Sequence, residues 1–276
     1  MPLATNRLVS IMYPIRCIWL RHVEVLKRRS SAVAGFLEAR MGVIFAAWMA
    51  VFALACLPRI AFPATPVATV TQLVALVLPY MLIALAPVAG LIVASGSFPR
   101  GLLTAQPSIR LSVYGRWRQL DVLQARHSPV FGPAGFMASL LIGMLLNVVV
   151  RSFEFLVSMP ALGGSAPAWS EKLFGLMAAD VIVMSFFYMV CFVLALRSVP
   201  LFPRMLLLAW GLDVMMQLFI AQHIAGTPGI PEIVTQPLHG LLQGNISKVL
   251  ISAVVWLPYL ILSDRVNVTY RSRVGI

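Results

Sequence analysis

Four ionisable residues stand where lipid tails should be: Arg151 and Glu154 in one long apolar stretch, Asp180 in the next, and Asp213 in the one after. An ionised side chain in hydrocarbon costs about 2.5–3.5 kcal/mol even on insertion-based scales, so each is a functional candidate that also needs a partner. Arg151 and Asp180 both fall about 10 Å inside the outer end of their stretches at 1.5 Å per residue. Their matched depths predict an Arg151–Asp180 contact, with Glu154, one turn further out, sharing the guanidinium or reaching interfacial water. Asp213 lies near the middle of its stretch, with Gln217 one turn outward on the same face. Two roles are open to a midplane acid: a proton carrier, since desolvation favours the neutral form, or a paired or protonated group that locks helices together. Gly135, Ser139, Gly143, Asn147 and Arg151 recur at every fourth residue and form one stripe. Such a stripe either lines a pathway or lets a neighbouring helix approach closely, with Asn147 bonding across the contact.

Enzyme signatures are missing from the sequence. There is no Walker-type loop, no His-Glu-x-x-His, no Gly-x-Ser-x-Gly and no dinucleotide fingerprint. Cys17, Cys56 and Cys191 form no disulfide or metal pattern, and His22, His127, His223 and His239 are as dispersed. The expectation is no catalytic residue, no cofactor and no metal. An enzyme acting on a lipid intermediate would need a wet cavity converging on Glu154 or Asp180.

The elements that must position these residues are helices crossing a bilayer. Apolar runs over residues 41–62, 68–97, 131–157, 173–196, 202–224 and 246–263 each approach the roughly 20 residues needed to span hydrocarbon. Composition agrees, with 60% hydrophobic and 11% charged residues and a mean hydropathy of +0.91. So apolar a chain cannot present a water-facing surface all round. The expected fold is therefore all-α, a polytopic transmembrane bundle of six spans.

Basic residues fix its orientation. Seven fall before residue 41, five in residues 98–130, two at Arg197 and Arg204, and three after residue 264, all in alternate connections. Lys/Arg-rich loops stay in the cytoplasm, so both termini are expected there. Residues 1–40 read as a cytoplasmic part in which Leu8, Ile11, Ile15, Ile18, Trp19 and Leu26 make the apolar face of a basic amphipathic interfacial helix. Residues 41–97 form a two-span part, 98–130 a basic cytoplasmic connection with Arg100, Arg110, Arg116, Trp117 and Arg118, and 131–276 a four-span bundle with a cytoplasmic tail. Residues 225–245, rich in Pro and Gly, read as an outer connection without a regular helix. The net charge of +12 comes without any nucleic-acid motif, so anionic headgroups at the cytoplasmic face are the expected partner, not nucleic acid.

One motif closes the chain: Trp256, Pro258 and Tyr259, then Ser263, Arg265 and Val266, then Thr269 and Tyr270. Physically, Pro258 frees a carbonyl one turn earlier, the aromatic residues suit an interface, and Arg265 can meet carbonyls or phosphates just past the helix end. The motif reads as a terminal membrane anchor, or as a cytoplasmic-side site in which Tyr259, Ser263 and Arg265 take a headgroup or a partner loop. In order and spacing it resembles the closing motif of a bacterial membrane-protein family catalogued as domain of unknown function 2569, and Leu201, Phe202, Pro203 and Arg204 resemble that family's entry into its penultimate helix. The resemblance covers about residues 131–270. It implies a four-helix unit in a bacterial inner membrane and supplies no chemistry. The functional expectation is an accessory or scaffold protein contacting lipid, another membrane protein or a second copy of itself. The competing expectation is a small-solute or proton-coupled transporter using Arg151, Asp180 and Asp213.

Overall fold

A computed structural model of the chain describes residues 29–99, 101, 106–107, 115–164 and 166–276. The expected surface helix over residues 8–26 lies outside these, as do Arg100 and Arg110. Residues 29–39 are helical and lead into α1 (Met41–Ala61). There follow α2 (Val70–Ser97), a short strand β1 (Trp117–Gln119), α3 (Val122–His127), α4 (Phe136–Ser158), α5 (Ala168–Leu196), α6 (Phe202–Ala225), α7 (Glu232–Leu262), α8 (Asp264–Arg271) and β2 (Arg273–Gly275). Among the described residues six helices, α1, α2 and α4–α7, are long and apolar enough to cross a membrane. The chain is an all-α, multi-pass transmembrane bundle.

Helix ends follow local chemistry. Thr69 starts α2 with a capping box: its hydroxyl accepts from the Gln72 N–H, and the Gln72 carboxamide oxygen accepts from the Thr69 N–H. Pro203 occupies the first turn of α6, where the missing N–H is no loss. Gly135 precedes α4 with φ +67, in the left-handed region that glycine tolerates, so the third helix begins at Phe136 and not at residue 131. The largest departure from expectation is α7. It begins at Glu232, immediately after Pro231, and runs unbroken through Pro237, so the outer connection shrinks to residues 226–231. Pro237 sits in the second turn, where it forgoes one helical bond, to the Ile233 carbonyl, without ending the helix.

α5 is the central helix. In its most apolar window 72% of residues are buried in protein, against 17% for α1 and α7, which turn most of their surface to lipid. α2 lies closely along α5, and α4 and α6 also pack on it. The α2–α5 approach is tightest at Gly90, where an added Cβ would stand 2.7 Å from the Phe186 carbonyl oxygen and 3.1 Å from Met189 Cβ. Two apolar clusters fill the interior. One gathers Met137–Val148, Met184–Leu196, Phe202–Trp210 and Tyr270; the other gathers Phe52, Leu76–Ala84, Phe155, Phe174–Val181, Ile220 and Leu238–Leu242.

The connections segregate by end. At one end β1 pairs antiparallel with β2, Trp117 opposite Gly275, while the Gly135 N–H donates to the Ser30 hydroxyl at 2.7 Å and Arg197 donates to the Ser95 carbonyl at 2.8 Å. This basic end thus joins the segment before α1, the long connection and the carboxyl tail. At the other end the Ala64 N–H donates to the Ala161 carbonyl, and Lys172 to the Thr227 hydroxyl.

Gly90→Val should lower stability by about 1–3 kcal/mol, since the extra atoms meet backbone that cannot move aside. Gly96→Ala, where an added Cβ meets nothing within 4 Å, should change it by less than about 1 kcal/mol and toward stability. Thermal denaturation in mild detergent compares the two.

Candidate functional site

Between the two apolar clusters lies a polar belt drawn from four helices. Arg151 on α4 donates through Nη2 to Asp213 Oδ1 on α6 at 2.5 Å, and through Nη1 to Asp180 on α5, whose two carboxylate oxygens are both at 3.5 Å. The Tyr188 hydroxyl, two turns along α5 from Asp180, donates to the second oxygen of Asp213 at 2.8 Å. Gln217 Nε2 donates to Asp180 Oδ1 at 3.0 Å, and Asn245 Nδ2 on α7 donates to Gln217 Oε1 at 3.3 Å. Lys248 continues the line, donating to Asn245 Oδ1 at 3.5 Å and pairing with Glu154.

Burial grades this belt from inside to rim. Asp213, Asp180 and Arg151 are 0%, 1% and 7% exposed, whereas the Lys248 and Glu154 side chains are 54% and 39% exposed. Each buried carboxylate has two side-chain donors, which is what makes a charge tolerable in a low-dielectric interior. Arg151 reaches the edge of a cleft of about 270 Å³ between α4 and α7; Asp180 and Asp213 do not line it. The two buried acids are held in a helix contact away from the cleft wall.

Several expectations are revised here. The Arg151–Asp180 contact forms, but Asp213 is the closer partner of Arg151. Glu154 does not share the guanidinium; it faces Lys248 across the rim. Gln217, one turn from Asp213 on α6, takes Asp180 on the neighbouring helix as its acceptor. The small-residue stripe is not a tight helix contact, since an added Cβ at Gly143 meets nothing within 4 Å, and Gly143 and Asn147 line the open cleft. Tyr188 and Asn245 carried no sequence signal of their own. For Asn245, extending the sixth helix back to residue 232 supplies one, because it sets Asn245 inside a spanning helix; Lys248 already falls inside the run 246–263, an ionisable group passed over near its start.

The closing motif is used internally at the basic end. The Thr269 hydroxyl accepts from the Gly132 N–H at 3.0 Å, Arg265 donates to the Gly132 carbonyl at 3.4 Å, and the Tyr270 hydroxyl donates to the Ala195 carbonyl at 2.8 Å. Tyr270 packs its ring on Phe202, and its complete burial pushes the phenol well above its usual range. Val266 is fully buried, and Trp256 and Tyr259 stack around Phe136 at the start of α4. Pro258 lies in the last turns of α7. The unpredicted hub is Asn267. Its amide donates to the Ile261 carbonyl near the end of α7 and to the Ser263 carbonyl, which also accepts the Asn267 backbone N–H, and its oxygen accepts from Arg271 at 2.8 Å and Arg273 at 2.9 Å. Arg271 also donates to the Leu260 carbonyl, while burial and the nearby Arg273 and Arg204 lower its guanidinium to about 10. Arg273 lies 4.6 Å over the Trp117 ring.

Fold and site together define a multi-pass membrane protein whose intramembrane charges pair with each other. Compared with protein-family models, curated proteins and solved structures, the chain finds no match. Among the described residues no group of three or more His, Cys, Asp or Glu is placed to hold a metal ion.

Arg151→Leu should destabilise by about 3–5 kcal/mol, because it strands two buried carboxylates. Lys248→Ala, at the exposed end of the belt, should cost less than Arg151→Leu, because the carboxylate it leaves, Glu154, is 39% exposed. Asn267→Ala should cost about 1–3 kcal/mol by removing the side-chain donor to the Ile261 carbonyl and the acceptor that Arg271 and Arg273 share, with faster amide exchange around residues 260–271 as its local signature.

Proposed function

We propose that this chain is a non-enzymatic accessory or scaffold protein of a bacterial inner membrane, both termini cytoplasmic, that contacts lipid or another membrane protein. The single observation that carries this reading is the closure of the belt: Asp180 and Asp213 are sealed from the cleft and each is satisfied by protein donors. A relay needs an acid that changes partners, whereas a scaffold needs helices held in register, and a saturated belt serves the second. The basic end, with Arg116, Arg118, Arg126 and Arg265 beside Trp117, suits anionic headgroups on the cytoplasmic face. The bacterial address rests on the resemblance of the closing motif.

A transporter reading has one observation in its favour, the edge of Arg151 on the cleft. It requires pH-dependent flux in liposomes that Asp213→Asn abolishes while folding is kept.

Extraction in mild detergent followed by native mass spectrometry should retain anionic phospholipid, a reproducible membrane-protein partner or a second copy of the chain. A monomer that carries none of these overturns the accessory reading, and flux above empty vesicles replaces it with transport.

A further inference from the structure

We propose that the cleft between α4 and α7 binds the head of an uncharged, hydroxyl-bearing lipid whose chains pass out sideways into the bilayer. This deepens the lipid-contact side of the accessory reading and rests on it. The two helices meet at two places. At one, Lys248 reaches Glu154; at the other, the Phe136 ring lies 6.1 Å from Trp256 and 5.8 Å from Tyr259. Between these bridges they stand apart, with Tyr188, Leu206 and Trp210 as the floor. Leu146 and Val150 on the rim are 57% and 40% exposed, so the opening faces acyl chains.

Polar groups at hydrocarbon depth face this space. Asn147, near the middle of α4, has no hydrogen-bond partner among the described residues. The Ser252 hydroxyl donates to the Lys248 carbonyl at 2.8 Å and keeps its own lone pairs free. Hydrocarbon tails cannot satisfy an amide, and leaving one unpaired there is costly. A hydroxyl, which both donates and accepts, can satisfy it.

Charge selects among possible heads. Both cations on the cleft are already paired, Arg151 with Asp180 and Asp213 behind it and Lys248 with Glu154. A phosphate would have to displace one of these carboxylates from its partner. A cationic head gains little either, because Asp180 and Asp213 are sealed behind their donors. Size selects as well: about 270 Å³ falls just below the roughly 300–1,000 Å³ of sites that enclose a whole drug-sized ligand. It admits a head and its first methylenes and leaves the rest of the chains outside.

The test uses the full chain in phosphatidylcholine nanodiscs doped with a diacylglycerol bearing a photoactivatable diazirine near the head, with labelled positions mapped by mass spectrometry. Saturable labelling within residues 140–154 and 245–256 is expected, competed by plain diacylglycerol and not by phosphatidylglycerol. Asn147→Leu should weaken it about tenfold, the effect of one lost intramembrane hydrogen bond. Gly143→Leu, which adds its atoms to open space, should abolish it while the protein melts as wild type does. If Gly143→Leu proves unstable, Asn147→Leu decides alone. Labelling that never saturates, that phosphatidylglycerol competes equally, or that survives both substitutions overturns the proposal. A co-purifying partner found with an unlabelled cleft overturns the cleft site and leaves the accessory reading standing.

Discussion

One guanidinium held between two carboxylates in hydrocarbon is the constraint from which the rest of this bundle follows. Lipid tails are as apolar as leucine, so apolar contact does little to fix how far one helix slides or turns against another. Arg151 removes that freedom. A shift of α5 or α6 by one residue turns its carboxylate by about 100° and strands charge in oil, so these helices and α4 share one register. Gln217 and Asn245 extend the same restriction to α7 through uncharged amides.

The belt also divides the interior into two apolar layers with different tasks. The layer toward the basic end includes α5 from Met184 to Leu196 and the start of α6, and it receives Tyr270 from the carboxyl tail. There the closing motif acts as a clasp: Thr269 and Arg265 hold the Gly132 turn, Tyr270 holds the end of α5, and Asn267 and Arg271 donate to carbonyls around the end of α7. The layer at the other end carries α1 and α2 through Phe52, Cys56, Leu76 and Tyr80. The free thiols of Cys56 and Cys191 lie in these layers as small apolar groups.

Most of the helices were legible because burial in lipid demands long uninterrupted apolar runs: α1, α2 and α6 match the expected ranges to within two residues, and α5 begins five residues early, at Ala168. α4 and α7 differ for physical reasons. Gly132 and Gly135 adopt left-handed backbone that delays α4, and residues 232–245 mix Pro, Gly, Gln and His with too little apolar character to read as membrane helix, yet they form the first turns of α7. The short β1–β2 pairing was invisible, since three-residue strands 154 positions apart leave no periodicity to detect. Ionisable residues inside apolar runs identified Arg151, Asp180 and Asp213 as needing partners. The partners themselves depended on which helices became neighbours.

Sequence alone determined what must be hidden and what must be paired: six spans, the sides on which basic residues gather, and three intramembrane charges that could not remain alone. These follow from transfer energies, which belong to residue types wherever they sit. Tertiary structure decided who pairs with whom. It brought Asp213 closer to Arg151 than Asp180, sent Glu154 to Lys248, and opened a cleft along a stripe of small residues that could equally have closed a helix contact. Those outcomes depend on helix rotation and neighbour order, which arise when several helices pack at once and which no single segment encodes.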